Sequence, residues 1–191
     1  MITTQDLRAN VLQAAQLVKH DRTAGLAQLN QLFALGRAPS PGLNGRYQGA
    51  LLTTSVHPLL DAAAGALFGW WLPWKGKTFN ATAQTGDNLF TNDGLWLSHL
   101  VFAGYKDYIA DGPGRSRALT FRTYTSAGQD NPGLSVLKID YDLDVNPRFV
   151  VRDVLDELVQ VGEGYYLGKA HLRWRGRWRC AAYFTLATVS T

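Results

Sequence analysis

The sequence predicts a mainly β protein: an antiparallel β-barrel of about eight strands, with two N-terminal helices and one inserted helix. Two observations carry the prediction. From Leu43 onward, short segments alternate apolar and polar residues with the period of a strand. Turn-forming stretches separate them, among them "TGDN", "DGPGRS", "SAGQDNPG", "DVNP" and "GEG". A series of strands joined mostly by short turns favours an antiparallel sheet that curls and closes. No repeat of 20–50 residues is visible, which argues against a propeller or a solenoid.

The chain begins with helical periodicity. Leu7, Val11, Leu12, Ala15 and Val18 fall on one helical face, and Thr3 and Asp6 have the spacing of a capping box. Asp21 is placed to cap a second helix that carries Leu26, Leu29, Leu32 and Phe33, and Gly36 ends it. "APSPG" at 38–42 reads as a linker. The expected organisation is one folded unit, with a helical segment at 1–38 packed on a barrel at 43–191. The two helices serve as a brace on the barrel or, alternatively, as a homodimer contact.

"NGRYQGALLT" alternates and contains glycines, as strands of curved sheets do. "HPLLDAAAGALFGWW" then interrupts with a helix, His57 at its cap and Pro58 in its first turn, and Pro73 stops it. Strands are expected at 74–82, 95–103, 117–125, 134–141, 150–161, 165–174 and 178–188. The apolar positions of 150–161 fit a helix as well as a strand, and only the "VGEG" turn that follows favours the strand. Across the last hairpin, turning at Gly176, Lys169, His171, Arg173 and Arg175 share one face of the first strand. Tyr166, Gly168, Ala170, Leu172 and Trp174 share the other. Arg173, Arg175, Arg177 and Arg179 therefore gather at the turn end, as a solvent-facing rim with tryptophan neighbours or as a site for an anionic group.

Composition bounds the partners. The chain has 191 residues, is 46% hydrophobic and carries a net charge of +4, enough for one sizeable core. That charge is modest for a nucleic-acid binder, and no recognition helix accompanies the arginines, so no specific nucleic-acid binding is expected. The longest apolar run, 62–73, is shorter than the roughly 20 residues of a membrane span, and "MITTQDLRAN" lacks a signal-peptide core. A cytoplasmic protein without a membrane span is the expectation. One cysteine, Cys180, excludes an internal disulfide and a thiolate zinc site. His20, His57, His99 and His171 show no metal spacing, and no serine-nucleophile or phosphate-loop pattern is present. No metal and no cofactor are expected.

"LNGRYQGAL" followed by "PWKGKTF" resembles the glycine–aromatic–glycine strand starts of lipocalin-like (calycin) domains, including the GxWxG type, with Tyr47 where the first motif carries tryptophan. The segment 136–186, "VLKIDYDLDVNPRFVVRDVLDELVQVGEGYYLGKAHLRWRGRWRCAAYFTL", is similar to the C-terminal half of an uncharacterised bacterial family. The calycin resemblance implies an antiparallel lipocalin-like β-barrel with an interior cavity, often for an apolar ligand, and carries over no catalytic residue. The two N-terminal helices are an addition to that pattern.

Three functional readings follow. The first is a binding module. The aromatic cluster Phe68, Trp70, Trp71, Trp74 and Phe79 sits where a barrel mouth would be covered, and rings offer stacking faces with a polar tip. Trp71 and Trp74 would gate the mouth, and Tyr47, Tyr141, Tyr166 and His171 would supply polar contacts. The ligand would be a small or medium apolar, or amphiphilic, molecule with one polar or anionic group. The second reading is a small isomerase, lyase or decarboxylase. Asp156 and Glu157 are adjacent and, in a strand, face opposite sides, so one of them points into the barrel. A buried carboxylate requires a partner, and Asp156, His171 and Tyr183 are the candidate acid–base set. A scaffold acting through the N-terminal helices is a third class.

Overall fold

The structure, a computed structural model, describes residues 4–40, 42–54, 74–91, 105–148 and 150–189. Two helices precede the strands, α1 (Thr4–His20) and α2 (Arg22–Ala34). They are followed by β1 (Gly45–Thr54), β2 (Trp74–Asn80), β3 (Thr85–Thr91), β4 (Ile109–Ala110) and β5 (Arg115–Ala127). The chain continues through β6 (Ser135–Asp140), β7 (Val154–Gly162), β8 (Tyr165–Trp174) and β9 (Arg177–Thr188). Every pairing is antiparallel. The sheet order is β3-β2-β1-β9-β8-β7-β6-β5-β4, and β3 also pairs with β5. That last pairing closes eight strands into a ring and leaves β4 as a two-residue addition on β5. The mainly β class and the closed eight-stranded antiparallel barrel are as the alternation indicates.

Asp21 caps α2, its Oδ1 accepting from the Ala24 N–H at 2.9 Å, and the Gly36 N–H closes the far end on Phe33 O. Both helices lie on the outside of the barrel. Val11, Ala14, Leu29 and Phe33 share one apolar core with Val136, Val159, Leu167 and Tyr183. A second core fills the barrel interior, with Tyr47, Phe79, Phe121, Ile139, Leu158, Ala182 and Phe184 among its members. The alternation of each strand therefore has two buried sides over much of β6 to β9, the inner one against the barrel core and the outer one under the helices.

Glycines set the interior shape. A Cβ on Gly168 would lie 2.2 Å from the Phe184 ring, and one on Gly49 would lie 2.3 Å from the Trp74 ring. These strands accept large inward rings because the residues beneath them have no side chain. Gly76 has φ +141, a conformation other residues avoid, and sits at a register shift between β2 and β3.

Three differences from the sequence reading have local causes. The 150–161 segment divides into a 3-10 turn (Val151–Asp153) and strand β7. "TGDN", read as a turn, forms the first half of β3. A bulge places Ala170 opposite Ala182 but His171 opposite Cys180, leaving Ala181 extra. Beyond it the alternation of β9 inverts, and Cys180 packs on the outer core beside Tyr183 instead of following the inward face of Phe184. The expected capping box of Thr3 and Asp6, the inserted helix with Trp71 and the expected strand at 95–103 lie outside the described residues or side chains.

Candidate functional site

Four polar side chains meet inside the barrel. Lys77 on β2, Asn88 on β3, Tyr141 just after β6 and Asp156 on β7 all point inward, and all are buried. The Lys77 ammonium donates to Asn88 Oδ1 at 2.8 Å and to the Tyr141 hydroxyl, and pairs with Asp156 Oδ2 at 2.9 Å. Tyr141 Oη lies 3.1 Å from Asp156 Oδ2 and 3.2 Å from Asn88 Oδ1. Trp74 Nε1 donates to the same Asn88 oxygen at 3.1 Å. The rings of Trp74, Phe121, Tyr141 and Phe184 surround Lys77 Nζ with centroids 5.1–5.5 Å away. Such a cage keeps bulk water away and strengthens each electrostatic contact within it.

Local backbone geometry holds this arrangement. The β3–β5 register shifts between Gly86 and Asn88. Opposite the shift, buried Leu119 adopts φ +56, a strained choice for a leucine. Its carbonyl accepts from Asn88 Nδ2 at 3.0 Å, and its N–H donates to the Tyr105 hydroxyl at 2.8 Å. Burial, opposed by that N–H, pushes the Tyr105 phenol up to about 12. Asn88 is thus oriented from behind, so its oxygen faces Lys77. Strain held next to a buried polar cluster is a recognised mark of functional sites.

Burial lowers the Lys77 amine from its ordinary value, and Asp156 opposes that shift. Burial, reinforced by the Asp156 charge, raises the Tyr141 phenol well above its ordinary value. The two groups are therefore held closer to their neutral forms than they are in water. A cavity of about 10 Å³ lies against Lys77, Asn88, Tyr141 and Asp156, with Leu51 and Phe184 on its apolar side. That is room for one water or one substituent oxygen. Below it, edge-to-face ring contacts seal the barrel: Tyr47 with Phe79 at 5.5 Å, Tyr47 with Tyr166 at 5.6 Å and Phe79 with Phe121 at 5.3 Å. Burial, with the Tyr47 hydroxyl alongside, raises the Tyr166 phenol to about 12. Above it lies the opposite end, where β1 ends, β2 begins and β3 ends.

The residues singled out from sequence divide between two places. Trp74, Tyr141 and Asp156 meet in the interior cluster, and Tyr47 and Tyr166 lie in the ring layer beneath it. His171 and Tyr183 face outward under the helices, so they do not join Asp156. Trp71 lies outside the described residues. Lys77 and Asn88, central to the cluster, were not among the residues singled out. The signal for Lys77 was its position two residues before inward-facing Phe79 in "WKGKTF".

A second buried cluster occupies the outer face. Glu157 accepts from Lys138 Nζ and from the Gln129 N–H at 2.6 Å, and lies 3.2 Å from His171 Nε2. Burial pushes the Glu157 carboxyl up, but His171, Lys138 and the Gln129 N–H together outweigh it and hold it down at about 2. Lys169 Nζ donates to Asn30 on α2 and lies 4.6 Å from the Phe33 ring centroid. These groups tie the 128–131 turn and α2 to the sheet. Burial, aided by Cys180, raises the Tyr183 phenol. At the arginine tip, Arg173 pairs with Asp153 at 2.8 Å and covers Trp178 at 5.5 Å.

Among the described residues, no group of three or more histidine, cysteine, aspartate or glutamate side chains is arranged to hold a metal, and no helix is long and apolar enough to cross a membrane. The fold and the cluster together define a closed eight-stranded barrel with a caged lysine–aspartate pair in its interior. No protein-family model and no curated protein matches the chain. A solved structure, described as the crystal structure of a protein from Thermomonospora curvata, is similar over 93% of this chain and 99% of its own, at 15% identity and a TM-score of 0.49. No site or activity is carried over from it.

Proposed function

We propose that the protein binds a small, largely apolar molecule within the barrel, with its one polar oxygen received at Lys77, Tyr141, Asp156 and Asn88. The observation that carries this reading is the Lys77–Asp156 pair, which lies in the interior among aromatic rings. A buried ion pair adds little net stability over an apolar core of the same shape, because desolvation offsets the attraction. A barrel that needed only to be filled is served better by leucine and phenylalanine. The pair also favours a particular ligand. Asp156 already balances the Lys77 charge, so an uncharged carbonyl or hydroxyl oxygen fits this site better than a carboxylate, the anionic option of the sequence reading.

The test is titration of tryptophan fluorescence, since Trp74 touches the cluster. Alkyl and aryl aldehydes, ketones, alcohols and the matching acids form the panel. Saturable quenching by the neutral compounds, tighter than by the acids, supports the reading. No saturable change with any of them, or an equal one in a variant with Lys77→Met and Asp156→Leu, refutes it.

The second reading is enzymatic, and one observation favours it: an amine, a phenol and a carboxylate are in mutual hydrogen-bond contact. Such a set can pass a proton between positions on a bound carbonyl compound. In this reading Lys77, Tyr141 and Asp156 take the roles that the sequence assigns to Asp156, His171 and Tyr183.

A further inference from the structure

The geometry points to Lys77 as a nucleophilic amine that condenses with the carbonyl carbon of an apolar aldehyde or ketone to form an imine. This deepens the proposed binding reading and rests on it. Three features of the site carry it. Lys77 Nζ stands 2.9 Å from Asp156 Oδ2, a carboxylate placed to take its proton. The Tyr141 hydroxyl touches Nζ and lies 3.1 Å from the same carboxylate oxygen, so a proton can pass among all three groups. The cavity of about 10 Å³ touches all three groups, with Leu51 and Phe184 on its apolar side; it admits the carbonyl oxygen beside the amine, and the apolar part of the compound enters as these two side chains move aside. Burial, which favours the uncharged amine, supports the same assignment.

The step balances without an added reagent. Lys77 begins as the ammonium and gives one proton to Asp156. The freed nitrogen lone pair attacks the carbonyl carbon, and the C=O π electrons move to oxygen. That oxygen takes a proton from Tyr141, which regains one from the newly cationic nitrogen, giving a neutral carbinolamine. The Asp156 carboxyl then protonates the hydroxyl, the C–O bond breaks, water leaves and the C=N bond forms. The product is an iminium cation beside a restored Asp156 carboxylate, so the charge pair of the resting site is conserved. The four rings about Nζ keep bulk water away and slow the reverse hydrolysis.

The neighbouring Lys75 supplies an internal control, being exposed on the same strand. Folded protein is incubated with benzaldehyde, cinnamaldehyde or hexanal and sodium cyanoborohydride, then analysed by intact mass and peptide mapping. The expected result is one addition, equal to the aldehyde mass less one oxygen, at Lys77 and at least about tenfold faster than at Lys75. Urea-unfolded protein should lose that preference. Lys77→Arg, which keeps a cation beside Asp156, should remove the addition, and Tyr141→Phe should slow it by roughly 100-fold or more. Labelling of Lys77 no faster than Lys75 overturns the inference. If the same aldehydes quench Trp74 without reductant yet leave no adduct, imine formation fails while the binding reading stands. If they neither quench nor add, both fail.

Discussion

Lys77 and Asp156 form an ion pair at 2.9 Å inside a closed barrel, and both side chains are almost fully buried. They come from β2 and β7, strands that are not neighbours in the sheet, so the pair spans the interior. It draws Tyr141 and Asn88 into one hydrogen-bonded group. The pair's energetics separate a structural role from a functional one.

Removing one partner leaves the other charge buried. Lys77→Met alone should destabilise the protein by about 3–5 kcal/mol, and Asp156→Leu alone by a similar amount. The double variant Lys77→Met with Asp156→Leu should recover most of that loss. Urea denaturation of the four proteins measures the coupling directly. A double variant as unstable as either single one would identify the pair as a structural strut, and losses that simply add would show that the two side chains are not coupled.

Gly168 is set by the ring opposite it. Gly168→Ala should cost about 1–3 kcal/mol, since its Cβ would start 2.2 Å from the Phe184 ring. Adding Phe184→Leu should return part of the loss by removing the obstructing ring. Thermal unfolding of both variants checks the pairing, and equal losses in the two would exclude the clash as the cause.

Glu157 makes stability depend on acid. Its folded pKa is held at about 2, against an ordinary carboxyl value of about 4.3 in the unfolded chain. A depressed carboxyl contributes stability that is fully present above the unfolded value and is lost as pH falls through the folded one. Stability should therefore drop between about pH 4.5 and pH 2, by on the order of 3 kcal/mol from this group. Glu157→Gln should be less stable than wild type at neutral pH and should show a flatter acid limb in urea midpoints. An unchanged acid limb would exclude Glu157 as its source.

The arginine tip should matter little to folding. Arg173 and Asp153 are both partly exposed, so Arg173→Ala should change stability by less than about 1 kcal/mol. A larger loss in urea denaturation would mean that its stacking on Trp178 holds the hairpin.

The sequence made the barrel legible because its strands alternate and its turns are explicit, the Arg175–Gly176 hairpin above all. Helix α2 was legible from Asp21, whose side chain makes the expected cap. Strand β3 was hidden because Thr85–Asn88 is composed of turn formers. Those residues are in a strand for tertiary reasons: Gly86 makes room for the Phe121 ring, and Asn88 serves the interior cluster. In the sequence Asp156 and Glu157 stand out as adjacent carboxylates of which a strand turns one inward, but alternation alone does not say which side is inside. Here it says even less, because the helices bury the outer face and make His171 and Glu157 as buried as Asp156. Bulges at Gly76 and Ala181 further shift the alternation, and they depend on long-range pairing that local pattern does not encode.

The central claim is that the interior cluster around Lys77 receives a ligand. Native mass spectrometry of the protein isolated from its own host, beside the Lys77→Met, Asp156→Leu double variant expressed in the same host, tests it most directly. The account predicts that wild type carries an added mass under gentle desolvation and that the folded double variant does not. The same added mass on both proteins, or bare wild-type protein that also gives no quenching with the carbonyl panel, would contradict it.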